Sequence, residues 1–398
     1  MKKIAYFSRD GLLEPLGQSQ VLSYLRNLSK FYDITLVTFE KKNDLKDFSK
    51  LSNQKLECEE LSIKWRIFKF KYGPKYIRHV IDIFKFTYIG FRLKFKGVQL
   101  IHCRSYIPAI SALILKKLCK IDFIFDMRAL WPDELVSAKS IKENSFAHKL
   151  LIFLEGLLIK NAGKVVSLTT KAKGYLVSKL DHKDLEKKIS VIPTCVDLDK
   201  FNFDNSHFHF KEEFVVMSFG SFLNGWFLID RLIDFFCYVS NQKLDAKFRL
   251  ITRDDKKILE DLFLRANFDI SRLEILSASP NEIYKNISDS AICVMFYANV
   301  KGKWGSCPTR FGESLASGIP IIANNGGIGD TANYIQESEA GYLLDSFSET
   351  SFSKGFNHMQ KLFNSESSFK FCKEIAYKEF SLPLANDRYL KIYQELIS

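Results

Sequence analysis

The chain has 398 residues, a length that suits two domains of ordinary size, each able to bury a hydrophobic core of its own. Hydrophobic residues make up 46% of the sequence and charged residues 26%, which is typical of a soluble globular protein and excludes a largely disordered chain. The formal net charge is +12, so phosphate groups, nucleic acids and anionic membranes are the partners to consider.

Targeting signals and cysteines both favour a cytoplasmic protein. No segment approaches the roughly 20 apolar residues that span a bilayer, and the apolar run before Arg9 is too short for a secretory signal. The eight cysteines are scattered without metal-binding spacing and are expected to be reduced. The seven histidines are equally dispersed, so the sequence predicts no metal site.

Strand-like and helix-like segments alternate along the chain, which predicts parallel sheets covered by helices. The expected strands lie near residues 3–8, 33–39, 98–103, 123–126, 164–168 and 190–192, and then near 214–219, 247–252, 273–276, 291–296 and 319–323. A hinge is expected near residues 200–212, and a final helix follows the break at Pro383.

The first strand is followed by a loop in which Gly17-Gln18-Ser19-Gln20 opens a helix. A glycine just before a helix lets backbone N–H groups approach a ligand closely. A simple strand-to-helix turn is the alternative interpretation of Gly17.

Residues 64–96, which we call the basic arm, contain ten Lys or Arg residues, one acid (Asp82) and ten aromatic residues. Such a mixture favours an anionic membrane surface, where each cation contributes about 1 kcal/mol. A nucleic acid is the competing partner, but no RNA- or DNA-binding motif accompanies the arm. The remaining alternative is an amphipathic helix packed into its own domain.

Two further strand ends in the first half carry charge. His102 alternates with apolar neighbours and is interpreted as a core or rim histidine, whereas Arg104 at the strand end is the better candidate for a ligand contact. Residues 126–134 then hold three acids and one arginine directly after a buried-looking strand, and such a density is hard to place in a core. Within it, Asp133 and Glu134 either cap the next helix or contact a ligand.

The second half offers similar strand ends. Gly220 and Ser221 end one strand and open a helix, and Arg253 ends the next strand. Gly326 and Gly327 follow the strand near 319–323. The glycines there are a weak signal for a dinucleotide loop, because the G-x-G-x-x-G pattern is not in register.

Residues 306–324 form the most informative segment. They predict a loop up to Thr309, a short helix, and a buried strand after a Gly-x-Pro turn. Arg310 and Glu313 are three residues apart, so they share one face of the helix near its N-terminus, which itself favours anions. A cation and a carboxylate in this position suit a ligand with phosphates and sugar hydroxyls, such as a sugar nucleotide. An ordinary surface ion pair is the alternative.

This segment resembles the donor-binding motif of retaining glycosyltransferases of the GT-B fold, family 4. Glu313 matches the carboxylate that holds the nucleotide ribose, and residues 314–320 match the turn after it. Gly305 stands where the common motif has a second glutamate, as in a sub-branch with Pro-Thr-Lys/Arg before the helix. Residues 125–134 resemble the acceptor-side segment of the family. Residues 218–222 resemble its diphosphate-binding Gly-loop, without the usual Arg and Lys.

The resemblance implies an α/β fold with two Rossmann-like domains facing a central cleft. Residues 1–203 would form the acceptor-side domain, residues 204–380 the nucleotide-sugar domain, and residues 381–398 a helix crossing back to the first domain. The implied site residues are Asp126 and Arg128 for catalysis; Gly220, Ser221, Arg253, Thr309, Arg310, Glu313, Gly326 and Gly327 for the donor; and Gly17, Arg104, Asp133 and Glu134 for the acceptor side.

The implied activity is transfer of a sugar, with retention, from a nucleotide-sugar donor to a glycan or lipid-linked acceptor in surface-polysaccharide synthesis. The resemblance implies no metal or other cofactor, no nucleic-acid partner, and a position on the inner face of the membrane. Two alternatives stay open. One is a sugar-nucleotide 2-epimerase of the same fold, and the other is a non-catalytic protein that binds sugar nucleotides.

Overall fold

The computed structural model describes residues 1–70, 73–180, 184–201, 208, 210–278, 282–327, 329–336 and 338–397. The chain forms two compact units, Met1–Pro193 with Leu382–Ser398, and Thr194–Ser381. Residues 194–201, which the sequence analysis assigns to the first domain, pack in the second unit, because the Val196 amide bonds to the Phe380 carbonyl at 2.7 Å. Most of the predicted hinge, residues 202–207 and 209, lies outside the described residues.

The first unit is built on a parallel sheet of seven strands in the order β3-β2-β1-β4-β5-β6-β7. Its strands are β1 (Lys2–Ser8), β2 (Tyr32–Glu40), β3 (Lys64–Lys69), β4 (Val98–Arg104), β5 (Asp122–Asp126), β6 (Lys164–Ser167) and β7 (Ile189–Val191). Their central residues are apolar and buried on both faces, as helices on each side of a parallel sheet require.

The helices of this unit follow the strands. They are α1 (Pro15–Gly17), continued by a π-helical turn (Gln18–Leu22) into α2 (Ser23–Leu28), then α3 (Phe48–Glu60), α4 (Lys75–Lys94), α5 (Tyr106–Cys119), α6 (Trp131–Ser137), α7 (Phe146–Asn161), α8 (Thr170–Leu180) and α9 (Leu185–Lys188). The basic arm is therefore not one helix. It comprises strand β3 and helix α4, and residues 71–72 between them lie outside the described part.

The second unit has a parallel sheet of six strands in the order β10-β9-β8-β11-β12-β13. Its strands are β8 (Val215–Phe219), β9 (Lys247–Ile251), β10 (Leu273–Leu276), β11 (Ile292–Met295), β12 (Ile321–Asn324) and β13 (Gly341–Leu344). Its helices are α10 (Ile229–Gln242), α11 (Lys256–Arg265), α12 (Ile283–Ile287), α13 (Thr309–Ala316), α14 (Ala332–Ile335), α15 (Glu349–Leu362) and α16 (Glu366–Phe380). The core of this unit is rich in buried phenylalanine.

The last helix, α17 (Leu382–Leu396), belongs to the first unit although 188 residues of the second unit precede it. Tyr389 and Tyr393 on this helix are buried and contact the rings of Tyr24 and Tyr32. Arg388 also donates from Nη1 to the Val191 carbonyl at 3.1 Å.

The predicted α/β fold with two Rossmann-like units is confirmed. Both sheets are doubly wound, and in each the strand order reverses beside the first strand, between β1 and β4 and between β8 and β11. Ligands of such sheets bind beyond the carboxyl ends of the strands at this point. In the part of the chain that the structure describes, no helix is both long and apolar enough to cross a membrane.

Candidate functional site

The carboxyl edge of the second sheet brings together Arg310 and the loop after β8. Arg310 Nη1 donates a hydrogen bond to the Phe219 carbonyl. A Cβ atom at Gly220 would lie 2.5 Å from Cζ of Arg310, and Gly220 has φ +115°. Only glycine therefore allows both this backbone conformation and the close approach of the guanidinium. The positively charged guanidinium of Arg310 therefore lies beside the loop after β8, which resembles a diphosphate site.

Glu313 lies one helical turn after Arg310 on α13. It is partly buried, and among the described residues its carboxylate has no hydrogen-bond or ion-pair partner. Burial raises the pKa of Glu313 to about 7, although the positive charge of Arg310 acts in the opposite direction. A partly buried carboxyl with a perturbed pKa and no protein partner is the kind of group that a ligand completes.

The loop after β8 already holds an internal anion. Ser221 Oγ donates to Oδ1 of Asp254 at 3.0 Å, and the backbone amides of Phe222 and Leu223 donate to Oδ2 of the same carboxylate. We call these three donors the amide cradle. Asp254 follows β9 and is partly buried, and its own amide bonds to Thr252 Oγ1 at 3.0 Å. The residue adjacent to it, Arg253, is exposed.

The loop after β12 is held against the loop after β11 by one side chain. Asn324 accepts from the Tyr297 amide at 2.8 Å and donates to the Tyr297 carbonyl at 2.9 Å. A Cβ at Gly327 would lie 2.8 Å from Asn324 Oδ1, and one at Gly326 would lie 2.4 Å from Asn299 Nδ2. These glycines are thus required by packing within the loops. The same Tyr297 ring lies 5.2 Å from Arg310 Cζ, so the loops also support the guanidinium.

Thr309 is the first residue of α13 and is partly buried. It therefore stands at the N-terminus of the helix, directly before Arg310. Of the eight predicted donor residues, the structure thus joins Gly220 and Arg310 directly. Ser221 contacts Asp254 instead of another predicted residue.

In the first unit, Asp126 ends β5 as a buried carboxylate. Its Oδ2 lies 3.1 Å from the Tyr389 hydroxyl, 3.4 Å from His102 Nε2 and 3.6 Å from Arg128 Nη1. Burial alone would raise the pKa of Asp126, but Arg128 and His102 outweigh it and lower this pKa to about 2. Burial lowers the pKa of His102. Near neutral pH the cluster therefore pairs an ionised Asp126 with an uncharged imidazole.

Arg128 and Arg104 meet at one amide oxygen. Each donates from its Nη2 to Oε1 of Gln20 at 2.8 Å. Arg104 also donates to Asp10 Oδ2 at 3.1 Å, and the Asp10 side chain is about half exposed. Arg128 has φ +62°, a left-handed conformation that is uncommon for an arginine and clusters at functional sites. Asp126, Arg128 and Arg104 thus form one connected cluster, as their places at neighbouring strand ends predict.

The structure gives other predicted acceptor-side residues internal partners. Gly17 is buried, and a Cβ there would lie 2.1 Å from the Gly11 carbonyl oxygen, so close backbone packing explains this glycine. Asp133 is buried and accepts from the Tyr175 hydroxyl at 3.1 Å. Glu134 lies in the same first turn of α6. Contact of Gly17 with a ligand stays a prediction.

Three site residues were missed by sequence reasoning, namely Gln20, Asp254 and Tyr389. Each contacts its partner across a long stretch of chain, and nothing local distinguishes it from a surface residue. The adjacent acids Asp254 and Asp255 are a partial signal. Asp255 caps α11 by accepting from the Lys257 amide at 2.9 Å, so the helix cap does not account for Asp254. The described residues contain no group of three His, Cys, Asp or Glu side chains placed to hold a metal ion.

Comparison with known proteins bears on the family and the fold. Residues 18–200 match the family model described as Glycosyltransferase Family 4. The predicted resemblance to this family is confirmed. No curated protein sequence matches the chain.

Solved structures share the fold over the whole chain. A glycosyltransferase of Rickettsia africae aligns at 14% identity with a TM-score of 0.71, covering 100% of this chain and 99% of that one. HepE of Anabaena in complex with UDP-glucose aligns at 13% identity with a TM-score of 0.68, covering 99% and 100%. A putative UDP-N-acetylglucosamine 2-epimerase of Listeria monocytogenes aligns at 10% identity with a TM-score of 0.60, covering 98% and 95%. The fold is that of GT-B glycosyltransferases, and the fold alone does not separate transfer from epimerisation.

Proposed function

We propose that the protein is a retaining glycosyltransferase that moves a sugar from a nucleotide-sugar donor to a glycan or lipid-linked acceptor. The observation that carries this proposal is the pairing on α13 of Arg310, which reaches the loop after β8, with Glu313, whose carboxylate has no partner among the described residues. Solved structures of the same fold include complexes with UDP-glucose. A nucleotide sugar presents both phosphates for Arg310 and ribose hydroxyls for Glu313.

In this proposal Arg310 stabilises the negative charge that develops on the leaving diphosphate. A fixed cation aimed at developing charge needs no reorganisation during the reaction, which is the main advantage of such stabilisation. Thr309 at the start of α13, Gly220 and Ser221 after β8, and the exposed Arg253 would contribute further donor contacts. No metal enters the proposed mechanism, following the resemblance to family 4.

Asp126 and Arg128 are proposed to lie nearest the reacting groups on the acceptor side, with Arg104 beside them. The ionised Asp126 keeps Arg128 charged and oriented, and the left-handed backbone of Arg128 is the strained conformation expected of a functional residue. Asp133 and Glu134 are weaker candidates for acceptor contact, because Asp133 already has internal partners.

We further propose that the acceptor belongs to surface-polysaccharide synthesis and that the protein works at the cytoplasmic face of a membrane. The basic arm supports this, because its cations Arg66, Lys69, Arg92 and Lys96 are exposed. Its one acid, Asp82, is buried and paired with Arg9 at 2.9 Å, so it does not offset the outward charge. Attraction to anionic lipid by such cations weakens as salt rises.

Donor turnover tests the proposed activity. The protein is screened by thermal shift against UDP-, ADP- and GDP-sugars, and the stabilising donor is then incubated for hours without acceptor. We expect slow release of nucleoside diphosphate and free sugar whose first-formed anomer matches the donor, and Arg310→Ala should abolish this release. A 2-epimerised nucleotide sugar with no diphosphate release would identify an epimerase. Binding with no chemistry in either direction would identify a non-catalytic protein.

A further inference from the structure

Helix α4 turns an apolar face towards solvent. Seven large apolar residues at helical spacing are exposed along it and just beyond its end: Ile77, Val80, Ile81, Phe84, Tyr88, Phe91 and Phe95. Phe84 and Phe95 are 70% and 77% exposed. A surface helix of a soluble domain normally places its polar residues on this side.

The opposite face of α4 fixes the helix in this orientation. Phe86 is fully buried and stacks on Phe7 of β1 with ring centroids 5.0 Å apart. Asp82 on the same side is buried and bonded to Arg9. Rotating the helix to bury Phe84 would expose Phe86 and break the buried ion pair, so the apolar exposure is built into the fold.

The exposed apolar surface continues onto two neighbouring helices. Helices α4 and α5 are in contact, and a Cβ at Gly90 would lie 2.3 Å from Leu115 Cδ1; α5 in turn contacts α7. The exposed apolar residues on these two helices are Ile114, Leu118, Phe146, Leu150 and Phe153. We call these five, together with the seven on and after α4, the three-helix apolar face. Single exposed apolar residues are ordinary, whereas twelve of them on three helices that contact one another in series mark an interaction surface.

The charges of the three helices select the partner. The only acids on α4, α5 and α7 are Asp82 and Glu155, and both are buried. Arg92, Lys117 and Lys149 are exposed among the apolar residues. A second copy of this chain docked on the same face would oppose cations to cations. An anionic lipid surface instead offers phosphates to the cations and an apolar layer to the aromatic rings.

We propose that the three-helix apolar face inserts into the interfacial layer of an anionic membrane, with Phe84, Phe91 and Phe153 entering the apolar region. This deepens the proposed attachment through the basic arm, on which it rests. It changes the character of binding, because burial of apolar area is not screened by salt, whereas attraction by the arm is. It also extends the contact to α5 and α7, outside the arm.

The test uses vesicle flotation with phosphatidylcholine alone and with added phosphatidylglycerol, at low and high salt. The variant Phe84→Ser/Phe91→Ser/Phe153→Ser removes three exposed rings. Its matched control is Phe210→Ser/Leu244→Ser/Leu264→Ser, which removes three exposed apolar residues from the second unit. We expect the wild type and the control to float with anionic vesicles and to keep part of this binding at high salt. The face variant should bind at least tenfold more weakly at both salt concentrations.

Other outcomes would overturn the insertion. If wild-type binding disappears fully at high salt and the face variant binds as the control does, then only electrostatic attraction by the arm holds the protein on the membrane. A wild type that ignores vesicles and is dimeric by sedimentation, with a monomeric face variant, would assign the face to a second copy. Thermal shifts with nucleotide sugars should be equal in all three proteins, so a failed donor assignment is separable from a failed membrane assignment.

Discussion

At the carboxyl edge of the second sheet, the Asp254 carboxylate accepts the hydrogen bonds that a bound phosphate would otherwise accept. Its carboxylate takes the Ser221 hydroxyl and the amides of Phe222 and Leu223, in a loop whose resemblance implies a diphosphate site. The carboxylate organises the amide cradle, and it also places a negative charge beside any phosphate bound at Arg310. Which effect is larger decides how tightly a diphosphate binds.

We expect the charge to be the larger effect. Asp254→Asn keeps an acceptor oxygen for the cradle but removes the repulsion, so affinity for the nucleoside diphosphate should rise at least fivefold, about 1 kcal/mol. Calorimetry with the diphosphate and with the corresponding nucleoside checks this, and the nucleoside should bind both proteins equally. Weaker diphosphate binding by Asp254→Asn would mean that Asp254 serves mainly to shape the loop.

Glu313 predicts a pH dependence of nucleoside binding. Burial raises the pKa of Glu313 from the ordinary value of 4.5 to about 7, so over this range the unfolded chain loses the proton while the folded protein keeps it. The free energy of unfolding therefore falls as pH rises from about 4.5 to about 7. Ribose hydroxyls donate best to the ionised carboxylate, and affinity should therefore rise as pH increases through about 7 and level off above it. Titration with a nucleoside avoids phosphate ionisation. Glu313→Gln should bind more weakly and show a flat profile, and a pH-dependent Gln variant would contradict the assignment.

The residues that sequence reasoning found and missed differ in the range of their contacts. Arg310 and Glu313 were predictable because their spacing on one helix defines their relation. Gln20 and Arg128 are 108 positions apart in the sequence, and Tyr389 and Asp126 are 263 apart, so no local pattern predicts either hydrogen bond. The close contact of Gly17 with the Gly11 carbonyl was not predicted either, because it depends on a loop geometry that composition does not reveal.

At the scale of elements, strand positions were predictable and helix faces were not. The predicted strands are present near their expected positions because buried parallel strands are continuous apolar runs. Strand β3, inside the basic arm, was missed because its alternating cations obscured the strand pattern. For α4 the sequence shows two apolar stripes, and only the packing of Phe86 on Phe7 reveals which one faces the core.

Helix α17 gives a prediction at this scale. The Tyr389 hydroxyl donates to the ionised, buried Asp126, so Tyr389→Phe removes a donor from a charge that keeps its burial. We expect the first unit to lose about 1–3 kcal/mol of unfolding free energy. Denaturant unfolding of the variant checks this against Tyr88→Phe, which alters an exposed tyrosine of the same unit. An unchanged midpoint would show that Asp126 does not depend on this bond.

At the scale of the whole molecule, the two units share one device. In each, a carboxylate near the end of the second strand holds the loop that follows the first strand. In the first unit the Leu12 and Leu13 amides, in the loop after β1, donate to the buried carboxylate of Glu40 at the end of β2. In the second unit the loop after β8 is held by Asp254, just beyond β9. Glu40 is fully buried, so a ligand cannot reach its place, whereas Asp254 is only partly buried. Of these two loops, only the one held by Asp254 can exchange its carboxylate for a ligand.

The return of α17 to the first unit reverses the usual order of events during synthesis. Domains ordinarily fold in sequence as they leave the ribosome, the N-terminal one first. Here the first unit lacks the helix that covers His102 and Asp126 until residues 382–396 emerge, while all of the second unit has already been made. The second unit is therefore expected to be complete first. The first unit, which carries the three-helix apolar face, would stay incomplete until residues 382–396 have been made.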